Sequence, residues 1–223
     1  MNVFITGANR GIGLTFAKHY LAQGANVWAC YRNSNQSLVA LETDKLHLVQ
    51  WDVTEPSPRQ GSLPDSLDLL INNAGIYGPK KQAGQRLEEI SAEAMLEVFE
   101  VNCVGSLQVT QALLPALVSA KGSIANISSK MGSSDDNSSG SCYAYRAAKA
   151  ALIIISKSLA IDLAAKGVDV ITLHPGWVKT DMTNHNGEIT TQVSVDGMSE
   201  VIQRIKQYPI GAFVAYDGEV IPY

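Results

Sequence analysis

The chain has 223 residues, 46% of them hydrophobic and 17% charged, with a formal net charge of −4. That length can bury one sizeable core, and the balance excludes a disordered or fibrous chain. No basic run offers a surface to nucleic acid, and the apolar stretches 3–5 and 147–155 are too short for a signal peptide or a membrane span. The expectation is a cytoplasmic protein without nucleic-acid or membrane partners. Cys30, Cys103 and Cys142 are widely spaced and odd in number, which predicts ordinary free thiols with no bound metal and no disulfide framework.

In chain order, short and nearly continuous apolar runs predict strands at 2–5, 26–31, 47–51, 67–72, 123–127, 169–173 and 212–216. Amphipathic runs predict helices at 11–23, 38–43, 91–120 (broken near Gly105 or Pro115), 144–165 and 193–207. The alternation argues for right-handed βαβ units in an α/β fold, a doubly wound parallel sheet of Rossmann type forming one domain over 1–223. The segment 55–64, rich in Pro and Ser, stands where a third crossover helix would otherwise lie. Two polar loops, 133–141 and 183–188, fall near the carboxyl ends of strands, where open α/β sheets bind ligands.

The first strand runs into Thr6-Gly7-Ala8-Asn9-Arg10-Gly11-Ile12-Gly13 and then a helix. Gly7 allows a tight turn, Gly11 lets backbone approach a pyrophosphate, and Gly13 permits close helix–strand packing. The amides around Asn9, Arg10 and Ile12 and the positive end of the helix dipole then suit phosphates. The second strand ends in Cys30-Tyr31-Arg32-Asn33, with no acid to hold a ribose 2′-hydroxyl. Arg32, with Arg10 on the other side, can fork onto a 2′-phosphate, which predicts NADP(H) in preference to NAD(H).

Tyr145 and Lys149 stand four residues apart on one helix face. A free phenol titrates about three units above neutrality, and a neighbouring ammonium would bring it towards the working range. Tyr143 competes for the same role, but Ala147 stands four residues beyond it, and a helix turns it roughly 200° from the Tyr145 face.

Thr-Gly-x-x-x-Gly-x-Gly, with three residues between the first two glycines, resembles the short-chain dehydrogenase/reductase family. Asn72-Asn73-Ala74-Gly75, Ser128-Ser129 and Tyr145-x-x-x-Lys149 follow in that family's order. Ser128-Ser129-Lys130-Met131-Gly132, Tyr143-Ala144-Tyr145-Arg146 and Asp217-Gly218-Glu219 resemble a compact subgroup with carbonyl-reductase and C-factor-like members. The resemblance implies catalytic roles for Asn102, Ser129, Tyr145 and Lys149. Of the two serines, the family pattern points to Ser129, although the interval to Tyr145 is slightly longer than usual. The resemblance also implies adenine contacts from Asp52 and Val53 and a cofactor channel lined by Asn73, Ala74 and Gly75. Nicotinamide contacts would come from Pro175, Gly176, Val178 and Thr180, with Tyr145 and Lys149 near the ribose. His174 is read as structural.

The implied activity is hydride transfer between NADP(H) and a small-molecule carbonyl or alcohol, with a substrate loop at about 181–207. Pairing of the helices around 106–117 and 150–163, as in many relatives, would make a homodimer or homotetramer. Two other classes would leave different marks in the sequence. A non-catalytic NADP(H)-binding sensor or signalling protein would have lost the Tyr/Lys/Ser set, which is intact. A hydrolase built on Ser129 lacks a Gly-x-Ser-x-Gly elbow.

Overall fold

The computed structural model describes residues 1–41, 43–78 and 85–223. Seven parallel strands, β1 (Asn2–Ile5), β2 (Asn26–Tyr31), β3 (Leu46–Gln50), β4 (Leu69–Asn72), β5 (Ser123–Ile127), β6 (Asp169–His174) and β7 (Phe213–Ala215), form one sheet in the order β3-β2-β1-β4-β5-β6-β7. The chain winds outward from β1 to β3, then returns to the other side of β1. This order reversal opens a crevice beyond the carboxyl ends of β1 and β4, the place where open α/β sheets receive ligands.

Both faces of the sheet are covered, which explains the unbroken apolar runs. In β1, Val3 and Ile5 join one core with Phe16, Tyr20, Val195 and Val201 from α1 (Gly11–Ala22) and α6 (Thr191–Gln203). Phe4 points the other way into a second core with Trp51, Val109, Leu113 and Leu117. Pairing in register, Val3 with Val27 and Leu69, keeps each residue on its own face from strand to strand.

The predicted helices survive with shifted ends. The short α2 is Gln36–Val39, earlier than the expected 38–43, of which Glu42 lies outside the described residues. No helix forms between β3 and β4; the link instead pairs Gln50 with Gln60 and closes on an Arg59–Glu55 ion pair. The 91–120 helix is α3 (Ala92–Phe99), a π-helical turn (Glu100–Val104) and α4 (Gly105–Ala120). The break therefore immediately precedes Gly105, while the exposed Pro115 is tolerated inside α4 because water can take up the carbonyl it frees. By length and composition this run could cross a membrane, but Val109, Leu113 and Leu117 are spent on the sheet core. The long α5 (Tyr143–Ala164) crosses beneath β5 and β6.

Candidate active site

The glycine turn has the conformation its composition predicted. Gly7 and Gly11 have φ of +62° and +52°, and a Cβ on Gly13 would lie 2.2 Å from the Gly7 carbonyl oxygen. Nothing larger than hydrogen fits there. The turn is wired to the end of β4: Thr6 Oγ1 accepts hydrogen bonds from the Asn73 and Ala74 amides, both at 2.9 Å. Asn73 Nδ2 returns a bond to Thr6 O. One residue earlier, Asn72 Nδ2 donates to Asn126 Oδ1 at 2.8 Å, and Asn126 Nδ2 donates to Ser156 Oγ, tying β4 and β5 to α5 through the core.

A cleft of about 290 Å³ opens above this turn. It brings together Gly7, Asn9, Arg10, Gly11, Ile12, Arg32, Asp52, Val53, Asn73, Ala74, Gly75 and Thr180 from the expected set. Gly13 lies beneath the turn, and Pro175, Gly176 and Val178 stand outside the cleft; Val178 is buried, and Pro175 O accepts a bond from Ser194 Oγ. Asp181 and Met182 join it from the start of the expected 181–207 loop, whereas sequence reading missed Cys30, Tyr31, Asn33, Ser34, Trp51, Ile76 and Val101. Only their proximity in the fold marks them, since none belongs to a motif.

Each arginine of the cleft carries an acidic neighbour. Arg10 Nη1 is 3.4 Å from Asp181 Oδ2, and Arg32 Nη1 is 3.9 Å from Asp52 Oδ2. Both guanidinium side chains are more than half exposed, so these pairs are worth about 0–1 kcal/mol and can be exchanged for a stronger anion. Asp52 also accepts from the amide and hydroxyl of Thr54.

Behind the cleft, α5 presents Tyr145 and Lys149 inward, both buried, while Tyr143 is 41% exposed. The choice between the two tyrosines therefore rests on burial as well as spacing. Lys149 Nζ donates to Ile127 O at 2.8 Å and lies 5.8 Å from the centre of the Tyr145 ring. Burial pushes the Tyr145 phenol up to about 12; the facing Ser129 hydroxyl pulls it down, and Cys142 raises it again. Burial governs this phenol, contrary to the depression expected from Lys149. Burial acts on the lysine too, bringing it down to about 8.

The two serines separate by their contacts. Ser128 Oγ donates to the Lys149 carbonyl at 2.9 Å, a structural tie, whereas Ser129 faces the phenol. Asn102 sits in the π-helical turn, completely buried, with Oδ1 accepting from the Ile76 amide and Nδ2 donating to the Ile76 carbonyl, both at 2.8 Å. A Cβ on Gly75 would lie 3.0 Å from Asn102 Oδ1 and 3.7 Å from Lys149 Nζ, so this glycine keeps the two polar groups within reach of one small space.

His174 supports the serine segment. Its Nδ1 accepts the Lys130 amide at 3.2 Å, and burial, helped by the charge of Lys130, lowers it to about 4, which keeps the ring neutral and able to accept. The polar 133–141 loop accounts for the long serine–tyrosine interval. Arg146 fastens it by donating to Met131 O and Ser139 Oγ, and Ser133 Oγ donates to Pro222 O. Among the described residues no group of three or more His, Cys, Asp or Glu could hold a metal ion.

Residues 1–190 match the family model of the short chain dehydrogenases. The C-signal protein of Myxococcus xanthus is 38% identical over 158 residues, covering 70% of this chain and 93% of that protein. The NADPH-bound carbonyl reductase from chicken fatty liver superposes with a TM-score of 0.89 at 33% identity, over 100% of this chain and 98% of the other. The carbonyl reductase Sniffer of D. melanogaster superposes with a TM-score of 0.87 at 28% identity, over 100% and 99%.

Proposed function

Because this chain belongs to the short-chain dehydrogenase family, we propose that it is an NADP(H)-dependent oxidoreductase acting on a small carbonyl or alcohol, with Tyr145 as acid and base. The observation that carries the reading is the meeting of Ser129, from the segment after β5, with Tyr145 and Lys149, from one face of α5, three buried groups next to the glycine-lined cleft.

The residues of the cleft fit a dinucleotide. The amides of the 7–13 turn, at the start of a 12-residue helix, would hold the pyrophosphate, and the channel Asn73-Ala74-Gly75 would lead towards the nicotinamide. Arg10 and Arg32 would trade their exposed acidic partners for a 2′-phosphate, which favours NADP(H) over NAD(H). The NADPH-bound state of the chicken relative supports the same preference. Asp52 and Val53 would meet the adenine, and Pro175, Gly176, Val178 and Thr180 would bound the nicotinamide end. When bound, the nicotinamide supplies or accepts the hydride.

The protein's own groups handle the proton. Ser129 would donate a hydrogen bond to the substrate oxygen, polarising the carbonyl as negative charge develops there. Tyr145 would deliver the proton to that oxygen. Lys149 would stabilise the phenolate left behind and hold ribose hydroxyls, and Asn102, fixed through both amide atoms, would keep the route from the lysine open. Exposed Ile154 and Ile161, seven residues apart on α5, support a homodimer or homotetramer. The short polar stretch 184–187, without a charge cluster or an aromatic box, favours small carbonyl substrates.

The test is turnover on a panel of aliphatic aldehydes, aromatic aldehydes, ketones and quinones with NADPH and with NADH. NADPH-driven reduction of at least one member is expected; equal efficiency with NADH would remove the cofactor preference. A second reading, a non-catalytic sensor or signalling protein, is favoured by the relative named C-signal. Tight NADPH binding with no turnover on any member would support it.

A further inference from the structure

The helix that carries Tyr145 begins without a cap of its own. Cys142, the residue before it, is left-handed at φ +54° and makes no side-chain capping bond, so the first-turn amides need another acceptor. That acceptor comes from 60 residues upstream. Gln85 Oε1 accepts the backbone amide of Tyr145 itself at 3.3 Å. The same side chain donates from Nε2 to the Tyr77 carbonyl at 2.7 Å, and the Gln85 carbonyl accepts from Ser141 Oγ at 3.2 Å. Gln85 is fully buried. A Cβ on Gly78 would meet its Nε2 at 2.8 Å, so the adjoining turn is shaped around this amide.

Its two ends hold two aromatics that pack against each other at a tilt of 43°. The Tyr77 and Tyr145 rings lie 5.0 Å apart, and the Tyr77 hydroxyl is 2.9 Å from Cys142 Sγ. Gln85 thus joins the turn after β4, the end of the 133–141 loop and the first turn of α5 at one point. We propose that Gln85 is a positioning residue of the reaction, a distant cap that sets the place of the Tyr145 phenol and the positive end of its helix. The inference rests on Tyr145 being the proton donor.

The groups that face Tyr145 are Ser129, Lys149, Cys142 and Tyr77, with Arg146 next along the chain. Gln85 is neutral among them, so a charge introduced at its position should be read directly by the phenol. Gln85→Met removes the acceptor at similar volume; Gln85→Glu keeps the acceptor for the Tyr145 amide, loses the donor to the Tyr77 carbonyl and, when ionised, adds a negative charge.

The experiment follows the ultraviolet tyrosinate titration of the NADPH complex, taking the Tyr145 signal as the difference from Tyr145→Phe, with kcat measured on the best carbonyl of the panel. Gln85→Met should lower kcat about tenfold to a hundredfold at unchanged NADPH Kd. Gln85→Glu, which keeps only the bond to the Tyr145 amide, should lower kcat less than Gln85→Met and move the Tyr145 titration upward by about one unit. A Gln85→Glu titration superimposed on the wild type, with Gln85→Met within twofold in kcat, overturns the proposal. If Tyr145→Phe is inert in that case, only the Gln85 inference fails. If Tyr145→Phe turns over normally, the proton-donor reading fails and takes this inference with it. Should Gln85→Met not fold, the Gln85→Glu titration alone decides.

Discussion

The two sides of the crevice are built on opposite principles. On the β1–β3 side the groups that would hold a ligand are backbone amides and arginines more than half exposed, each with a loose acidic neighbour. On the β5–β6 side Ser129, Tyr145, Lys149 and Asn102 are all buried, and burial is the largest influence on both titrating members. An exposed ion pair is worth little and can be exchanged for a ligand; a buried polar group is expensive to leave unpaired and keeps its geometry. Binding should therefore be adjustable on one side, and chemistry rigid on the other.

The contrast is broken most readily by substitutions that should affect only one side. Ser129→Ala should lower kcat by about a hundredfold or more while leaving the NADPH Kd unchanged, as measured by steady-state kinetics and fluorescence titration. Ser128→Ala, which loses only the tie to the Lys149 carbonyl, should instead cost about 1 kcal/mol of stability in urea unfolding.

His174 tests the rigid side through pH. Its folded pKa, about 4, lies below the ordinary value of 6.5, so the unfolded chain binds the extra proton between those limits. Its contribution is complete above pH 6.5 and lost as the pH falls towards 4, by about 3 kcal/mol. The slope of unfolding free energy against pH over that window should flatten in His174→Asn.

Gly13→Ala tests the junction between the sides. Its methyl group would meet the Gly7 carbonyl at 2.2 Å, and an overpacked site of this kind costs about 1–3 kcal/mol. The melting temperature should fall, and NADPH binding should weaken with it. The adjustable side is read at Arg32: Arg32→Ala should weaken NADPH about tenfold to a hundredfold, leave NADH within about twofold, and not change kcat at saturation.

Much of the adjustable side was legible in the sequence, because it depends on local chemistry. Gly7, Gly11 and Gly13 report backbone needs that hold wherever the turn sits, and β1, β2 and β5 have the predicted limits. The rigid side was legible in its residue types and less so in its physics. Spacing alone brings Lys149 near Tyr145 and suggests a lowered phenol pKa. Spacing carries no measure of burial, which here reverses the sign. The π-helical turn at Asn102 was hidden for a related reason: it follows the paired bonds to Ile76, 26 residues away. His174 and Gln85 act on Lys130 and Tyr145 across 44 and 60 residues, beyond any local pattern. Pro115 misled in the other direction, since its exposed position makes it harmless inside α4.

The division is tested most directly by a single-turnover measurement on Tyr145→Phe, with the NADPH complex preformed and its Kd determined in the same buffer. A wild-type Kd with hydride transfer slowed by about a thousandfold is the predicted result. Transfer at the wild-type rate, or a loss confined to NADPH affinity, would contradict the account.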